Sequence, residues 1–141
     1  MTDDATRQAV LAANQGFMEA LNAMFKGDAA PMLDVWSHAD DVTYMGPARE
    51  YLVGWAAIAE SWKKQAEKRF GGWIESRQAR AVISGELAIV TDIGHGDNPH
   101  SPGGDMPVDI RATSAFRLEN GAWKMIHHHT DLLLPLVSES V

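Results

Sequence analysis

The chain has 141 residues, 12 basic against 19 acidic side chains for a net charge of −7, and no cysteine. That length suits a single domain, residues 1–141, with one core and no need of a disulfide or metal for stability. The acidic balance opposes binding to nucleic acid, the missing thiols exclude cysteine nucleophiles, CxxC redox motifs and disulfides, and no segment reads as a signal peptide or membrane span. The expectation is a soluble cytoplasmic protein with no nucleic-acid or membrane partner; Lys63, Lys64, Lys68 and Arg69 make only a short basic helix face.

From Asp3 to Lys26, Val10, Phe17, Met18, Leu21, Met24 and Phe25 recur near the 3.6-residue period, which predicts a long amphipathic helix ended by Gly27. Asp28 is placed to cap a second, shorter helix with Pro31 in its first turn, Met32, Val35 and Trp36 inward, and an end near Ser37. Val42 to Met45, stopped by Gly46-Pro47, and Tyr51 to Val53 read as a small hairpin. Trp55, Ile58, Ala59, Trp62 and Ala66 then set a third helix that finishes before Gly71-Gly72.

Everything after Gly72 reads as strand: Trp73 to Ser84, Leu87 to Gly96, Val108 to Leu118, and a last strand through Trp123 to Asp131. Asn120-Gly121 supplies the two positive φ angles of a type I′ turn, so the strands beside it should be antiparallel neighbours. The segment Asp97 to Pro107 holds too much Pro and Gly for an element and is expected to be a loop at a sheet end. Helices followed by antiparallel strands make an α+β fold with the helices on one face of a curved sheet.

The last strand carries the densest chemistry. Trp123, Met125, His127, His129 and Asp131 fall at every second position, so an unbroken strand would turn all five to one surface, with His128 facing the other way. If that surface lines a cavity, His127, His129 and Asp131 offer acid/base catalysis. The same spacing suits two imidazoles and a carboxylate around zinc or iron. A third, structural reading has His127 bonded to a neighbouring strand and Asp131 balancing Arg111 or Arg117 in a polar network.

Counting back from Glu119 opposite Ala122 sets Arg111 against Thr130 and Thr113 against His128, which separates Arg111 and Thr113 from the histidine face. A bulge near Arg117 would instead bring Arg111 beside Asp131, and bent sheets need such bulges; this is the favoured register. Trp36, Tyr44, Trp62, Trp123 and Met125, with Arg111 and Thr113, are the residues expected to contact a ligand, although the spacing of Trp55 and Trp62 makes both core residues first. His38, His95 and His100 belong to the surface, with His95 alone near enough a strand end to reach a pocket mouth.

The element order, together with Trp36-Ser-His-Ala-Asp-Asp-Val-Thr-Tyr-Met-Gly-Pro47, Val53-Gly-Trp55, Arg111-Ala-Thr113, Phe116-Arg117 and the last-strand stretch, resembles the NTF2-like (cystatin-like) superfamily in its SnoaL-like or ketosteroid-isomerase-like branch. The resemblance implies a cone of strongly bent, mainly antiparallel sheet closed by three N-terminal helices, an apolar pocket inside, and a homodimer through the outer sheet face. The superfamily includes isomerases, polyketide cyclases, dehydratases, an epoxide hydrolase and a non-enzymatic kinase association domain, so one fold hosts many functions. Ketosteroid isomerases place a general-base Asp just before the Pro of the first strand, where this chain has Tyr44-Met45-Gly46-Pro47 and no carboxylate. SnoaL-type cyclases carry an acid/base Asp on the final strand ahead of a Leu-rich tail, a place similar to that of Asp131 before Leu132-Leu-Leu134.

The resulting expectation is a protein that binds a small hydrophobic molecule and acts as a cofactor-free isomerase, cyclase or lyase on a hydrophobic carbonyl compound. Asp131 or His129 would be the base, and Tyr44 or Arg111 would hold the carbonyl oxygen. The alternatives are a non-catalytic ligand-binding or oligomerisation module and a metal site on His127 and His129.

Overall fold

A computed structural model describes residues 3–102 and 104–132. The elements run α1 (Asp3–Phe25), α2 (Ala30–Val35), β1 (Thr43–Met45), β2 (Tyr51–Val53), α3 (Trp55–Glu67), β3 (Trp73–Ser84), β4 (Leu87–Ser101), β5 (Gly104–Glu119) and β6 (Ala122–Leu132). The strands form one curled, unclosed sheet in the order β2-β1-β6-β5-β4-β3. Neighbours are antiparallel except β1 and β6, which run parallel. This is the α+β, NTF2-like architecture the sequence predicts.

Local chemistry explains most boundaries. Asp3 and Asp4 sit in the first turn of α1, where carboxylates complement the helix dipole. At its other end Gly27 adopts φ 100°, Gly27 N–H donates to Met24 O and Asp28 N–H to Ala23 O, the paired bonds of a Schellman stop. Asp28 works slightly differently from expectation: Ala29 occupies the cap position of α2, and the Asp28 carboxylate accepts from Ala30 N–H at 3.0 Å. Asn120 and Gly121 take φ 51° and 82°, with Glu119 opposite Ala122, as the type I′ turn requires.

The expected loop from Asp97 to Pro107 is instead a hairpin arm, with Asp97 paired to Pro107 and Asn98 to Met106. On the side of β3 the preceding segment holds the arm, with His100 N–H donating to Phe70 O and Asn98 Nδ2 to Gly71 O, each at 2.8 Å. Pro99 and Pro107 are both accommodated within this arm although neither offers a backbone N–H, and Pro107 stands opposite Asp97. Gly96 has the opposite constraint, because a Cβ there would collide with the Trp73 carbonyl oxygen across the β3–β4 pair.

Two bulges bend the sheet. In β3, Gln78 and Ala79 together oppose Asp92, with Gln78 at φ 57°. In β6, Ile126 is the extra residue between the pairs Ala115–His127 and Phe116–Met125. The concave face carries Ile74, Ala88, Val90, Ile110, Phe116 and Met125 against Val10, Phe17, Leu21 and Met24 of α1 and Ile58, Trp62 and Ala66 of α3. One polar cluster interrupts this core, where buried Asp92 accepts from Asn14 Nδ2 at 3.1 Å and from the Ser76 hydroxyl. Among the described residues, no helix is long and apolar enough to cross a membrane.

Candidate functional site

The bulge at Ile126 decides where the last strand's chemistry goes. It sets Arg111 opposite Asp131 and Thr113 opposite His129, the favoured register. It also breaks the five-residue stripe, because Trp123 and Met125 precede the extra residue and His127, His129 and Asp131 follow it. Met125 is fully buried and Trp123 packs on the core, whereas His127, His129 and Asp131 stand on the convex outer face with Arg111 and Thr113. The five residues therefore do not share one surface of β6, and His127, His129, Asp131, Arg111 and Thr113 stand outside the concave cavity.

On that outer face the carboxylate is already occupied. Arg111 Nε and Nη2 donate to Asp131 at 2.9 and 2.7 Å, with both side chains more than half exposed, and this guanidinium holds the Asp131 pKa below the usual carboxylate range. His127 Nδ1 shares a hydrogen bond of 2.7 Å with Thr43 Oγ1 on the neighbouring strand. Partial burial, then the nearby His129, lower the His127 pKa. The two rings stand nearly perpendicular, 6.3 Å apart. These are the contacts of the structural reading, with the Arg111–Asp131 pair on the exposed outer face. A three-ligand metal set is not assembled, since Asp131 is bound by Arg111, and among the described residues no group of three His, Cys, Asp or Glu side chains converges. A shallow outer hollow of about 520 Å³ runs past Arg80, Thr91, Arg111, Thr113, His129 and Asp131. Arg117 belongs to a separate group, donating to Asp41 and Glu119, and these ion pairs lower the Asp41 pKa and raise that of Arg117.

The apolar cavity lies on the concave side and measures about 820 Å³. Its walls come from Leu21, Met24 and Phe25 of α1, Leu52 of β2, Trp62 of α3, Phe70, and Ile74, Val108 and Ile110 of the sheet. Of the seven expected ligand contacts, Tyr44 and Trp62 line it. Trp36 and Met125 are buried in the core instead, bridged to each other. The described part of the Leu-rich tail ends at Leu132, which lines the cavity; Leu133 and Leu134 lie outside the described residues.

Beside the expected Tyr44, the cavity is lined by polar groups the two-residue count missed, His128, Thr130, Glu50 and Gln65 among them, with Ser61, Asn98 and Ser101. His128 and Thr130 point inward because the bulge sends their odd-numbered neighbours out. His128 is 4% exposed, shares a hydrogen bond of 2.8 Å with Ser114 Oγ through Nδ1, lies parallel to the Tyr44 ring and packs 4.5 Å from Phe17. Burial, with His127 and His129 close by, pushes its pKa down to about 3, so the ring is neutral at physiological pH. Burial and the Glu50 charge push the Tyr44 hydroxyl up, keeping it a donor, while the adjacent Gln65 works weakly in the other direction.

Glu50 arrives from the hairpin loop rather than from a strand. A Cβ at Gly46 would lie 2.5 Å from the Tyr44 hydroxyl and 2.7 Å from Glu50 Oε1, so the two groups converge over this glycine. The Glu50 carboxylate also accepts from Ala48 N–H at 2.9 Å, which fixes the loop. Chemically, the cavity joins a hydroxyl donor and a carboxylate against walls that are mainly, not wholly, apolar.

Comparison with known proteins bears on the fold first. A candidate dehydratase of the NTF2-like family from Streptomyces avermitilis superposes with a TM-score of 0.83 at 23% identity, covering 95% of this chain and 100% of that one. An NTF2-like protein from Pseudomonas putida gives 0.78 at 16% identity, over 98% of this chain and 94% of that one. The CaMKII hub of S. rosetta gives 0.69 at 19% identity, over 89% and 95%. In sequence, the F-box protein SKIP8 of Arabidopsis thaliana is 25% identical over 135 residues, 92% of this chain but 52% of its own length, so the chain spans about half of that relative. A family model, the SnoaL-like domain, matches residues 10–134, which takes in α1 from Val10 onward and every strand of the sheet. With the cone, its concave cavity and this match in hand, the chain belongs to the SnoaL-like domain family.

Proposed function

We propose that this protein binds a small hydrophobic carbonyl compound in its concave cavity and moves a proton on it, as a cofactor-free isomerase, cyclase or lyase. The observation that carries this reading is the convergence of the Tyr44 hydroxyl and the Glu50 carboxylate in a mainly apolar cavity of about 820 Å³. Enolisation needs a base at the carbon beside the carbonyl and a donor at the oxygen where charge develops. In this reading Glu50 accepts the α-proton and Tyr44 donates to the carbonyl oxygen, the roles the sequence had suggested for Asp131 or His129 with Tyr44 or Arg111. Apolar walls favour the reaction, because a donor in a water-poor site stabilises a developing enolate more than it does in water.

A thermal-shift screen of hydrophobic ketones, followed by deuterium exchange at the α-carbon monitored by NMR, tests both halves. Ligands should raise Tm, and the protein should accelerate exchange. Glu50→Gln should lose about a hundredfold in that rate, the usual scale of an acid/base group, and Tyr44→Phe a comparable factor. Exchange that is indifferent to both substitutions would remove the proton-transfer role, and a screen without a stabilising ketone would remove the binding role.

The outer sheet face favours a second, compatible reading as a homo-oligomer. Val53, Val82, Leu87 and Ile89 are each about half exposed or more on strands whose convex side no helix among the described residues covers. Association and hub domains of calmodulin-dependent kinases are among the proteins of similar fold.

A further inference from the structure

The outer margin of the cavity carries charge that plays no part in the proposed proton transfer. Residues three and four apart share a face of α3, so the helix presents a graded wall. Trp62 is buried, Ser61 and Gln65 are half-buried, and Glu60, Lys64 and Lys68 are exposed; all six line the cavity, so the wall runs from its interior to its mouth. Lys68 caps the C-terminus of α3 with helical angles, φ −73° and ψ −21°, which sets it one turn beyond Lys64 on the same side. Its Nζ lies 5.8 Å from the ring centroid of Phe70, another lining residue, and this cation–π contact holds the ammonium at the mouth. The sheet side of the same opening is apolar, with Met106 51% and Leu132 50% exposed.

Like charges one turn apart repel each other, and the chain has 19 acidic residues to set against 12 basic ones. Among the described residues, however, neither lysine enters an ion pair. Glu60, one turn before Lys64, leaves this lip with two ammonium groups against one carboxylate. A lysine in a last turn also complements the helix dipole, but that role does not require it to line a cavity. The other lining carboxylate, Glu50, converges with the hydroxyl of buried Tyr44, so an anion carried to that end would meet a like charge and lose its hydration. The cavity is therefore polarised: an anion is repelled inside and attracted at the lip.

Resting on the small-molecule reading above, we infer that the ligand is amphipathic, with its apolar body and carbonyl inside the cavity and an acidic tail, carboxylate or phosphate, held at the mouth by Lys64 and Lys68. The tail stays partly hydrated there and avoids the desolvation cost of a buried anion, and each exposed ion pair contributes a factor of up to about five in affinity. The same charges fix the orientation, since the reverse pose would set the acid against Glu50.

Three ligands separate the possibilities: 2-decanone, 9-oxodecanoate and 9-oxodecyl phosphate share a methyl ketone and a linear chain and differ at the far end. Titration calorimetry at pH 7 gives the affinity of each acid relative to decanone. In the double variant Lys64→Gln with Lys68→Gln that ratio should fall about three- to tenfold for the acid the lip accepts. In the unmodified protein the ratio should shrink with added salt, and Lys64→Arg with Lys68→Arg, which keeps both charges, should retain it. A fall for one acid only would identify the tail as carboxylate or as phosphate. Ratios untouched by the glutamine pair would overturn the inference while leaving the cavity reading intact, and so would binding of decanone alone. Failure of all three compounds to bind would overturn the cavity reading and this inference together.

Discussion

Acidification below pH 6.5 should destabilise this protein through His128. The ring is buried among Phe17, Tyr44 and Ser114, and its pKa falls from the ordinary 6.5 to about 3. The sign follows from proton binding: between those two values the unfolded chain carries the proton and the folded one refuses it. Stability is therefore fully present above pH 6.5 and is lost as pH falls toward the folded value, by up to about 1.4 kcal/mol per pH unit. Between pH 6.5 and pH 5 this amounts to about 2 kcal/mol, a substantial fraction of a typical domain's stability. Urea denaturation at pH 7, 6 and 5 measures it, with His128→Gln as the reference because an amide can still bond Ser114 and does not titrate. The lowered pKa of His127 acts in the same sense but survives in the variant, and the carboxylates of Asp41 and Asp131, held down by Arg117 and Arg111, titrate below this window. The difference in pH slope between the two proteins thus isolates His128. Equal losses in wild type and variant would refute a buried, neutral His128.

Substituting Asp131→Asn or His129→Gln should leave the fold, ligand binding and any α-proton exchange unchanged, because both side chains stand outside the cavity; a hundredfold loss of rate in either variant would move the chemistry to the outer face. Phe17, fully buried against Trp62 and His128, should cost about 3–5 kcal/mol when cut to Ala, read from the urea midpoint, and a cost under about 1 kcal/mol would mean that α1 does not seal the core. Sedimentation at micromolar concentration should give a homodimer that Val82→Glu together with Ile89→Glu converts to monomer, and a monomeric wild type would count against the outer face as an interface.

Much of the fold was legible because its signals are local. The period of Phe17, Leu21 and Met24, the stop at Gly27 and the Asn120-Gly121 turn each act within a few residues, and each appears where expected. The arm from Asp97 to Pro107 was not legible, since whether a proline is tolerated in a strand depends on which neighbours reach it, and those come from elsewhere in the chain. Glu50 was hidden for a similar reason: no carboxylate stands on β1, and only the tight return past Gly46 brings one to Tyr44.

The candidate site turned on the single residue Ile126. Alternation along Trp123, Met125, His127, His129 and Asp131 is real, and imidazoles fall on both parities of the run, so counting by twos cannot say which of them meets the cavity. The sequence did hold enough to narrow the choice. Opposite charges on Arg111 and Asp131 ask to be neighbours, which requires an extra residue somewhere in β6. Phe116 and Met125 ask to face each other on the apolar side, which places that residue after Met125. Taken together, the two pairings confine the extra residue to the stretch between Met125 and Asp131, and its observed place at Ile126 turns His127, His129 and Asp131 outward and His128 and Thr130 inward. Charge pairing by itself locates a bulge; the apolar pair beside it determines which side of the sheet inherits the chemistry.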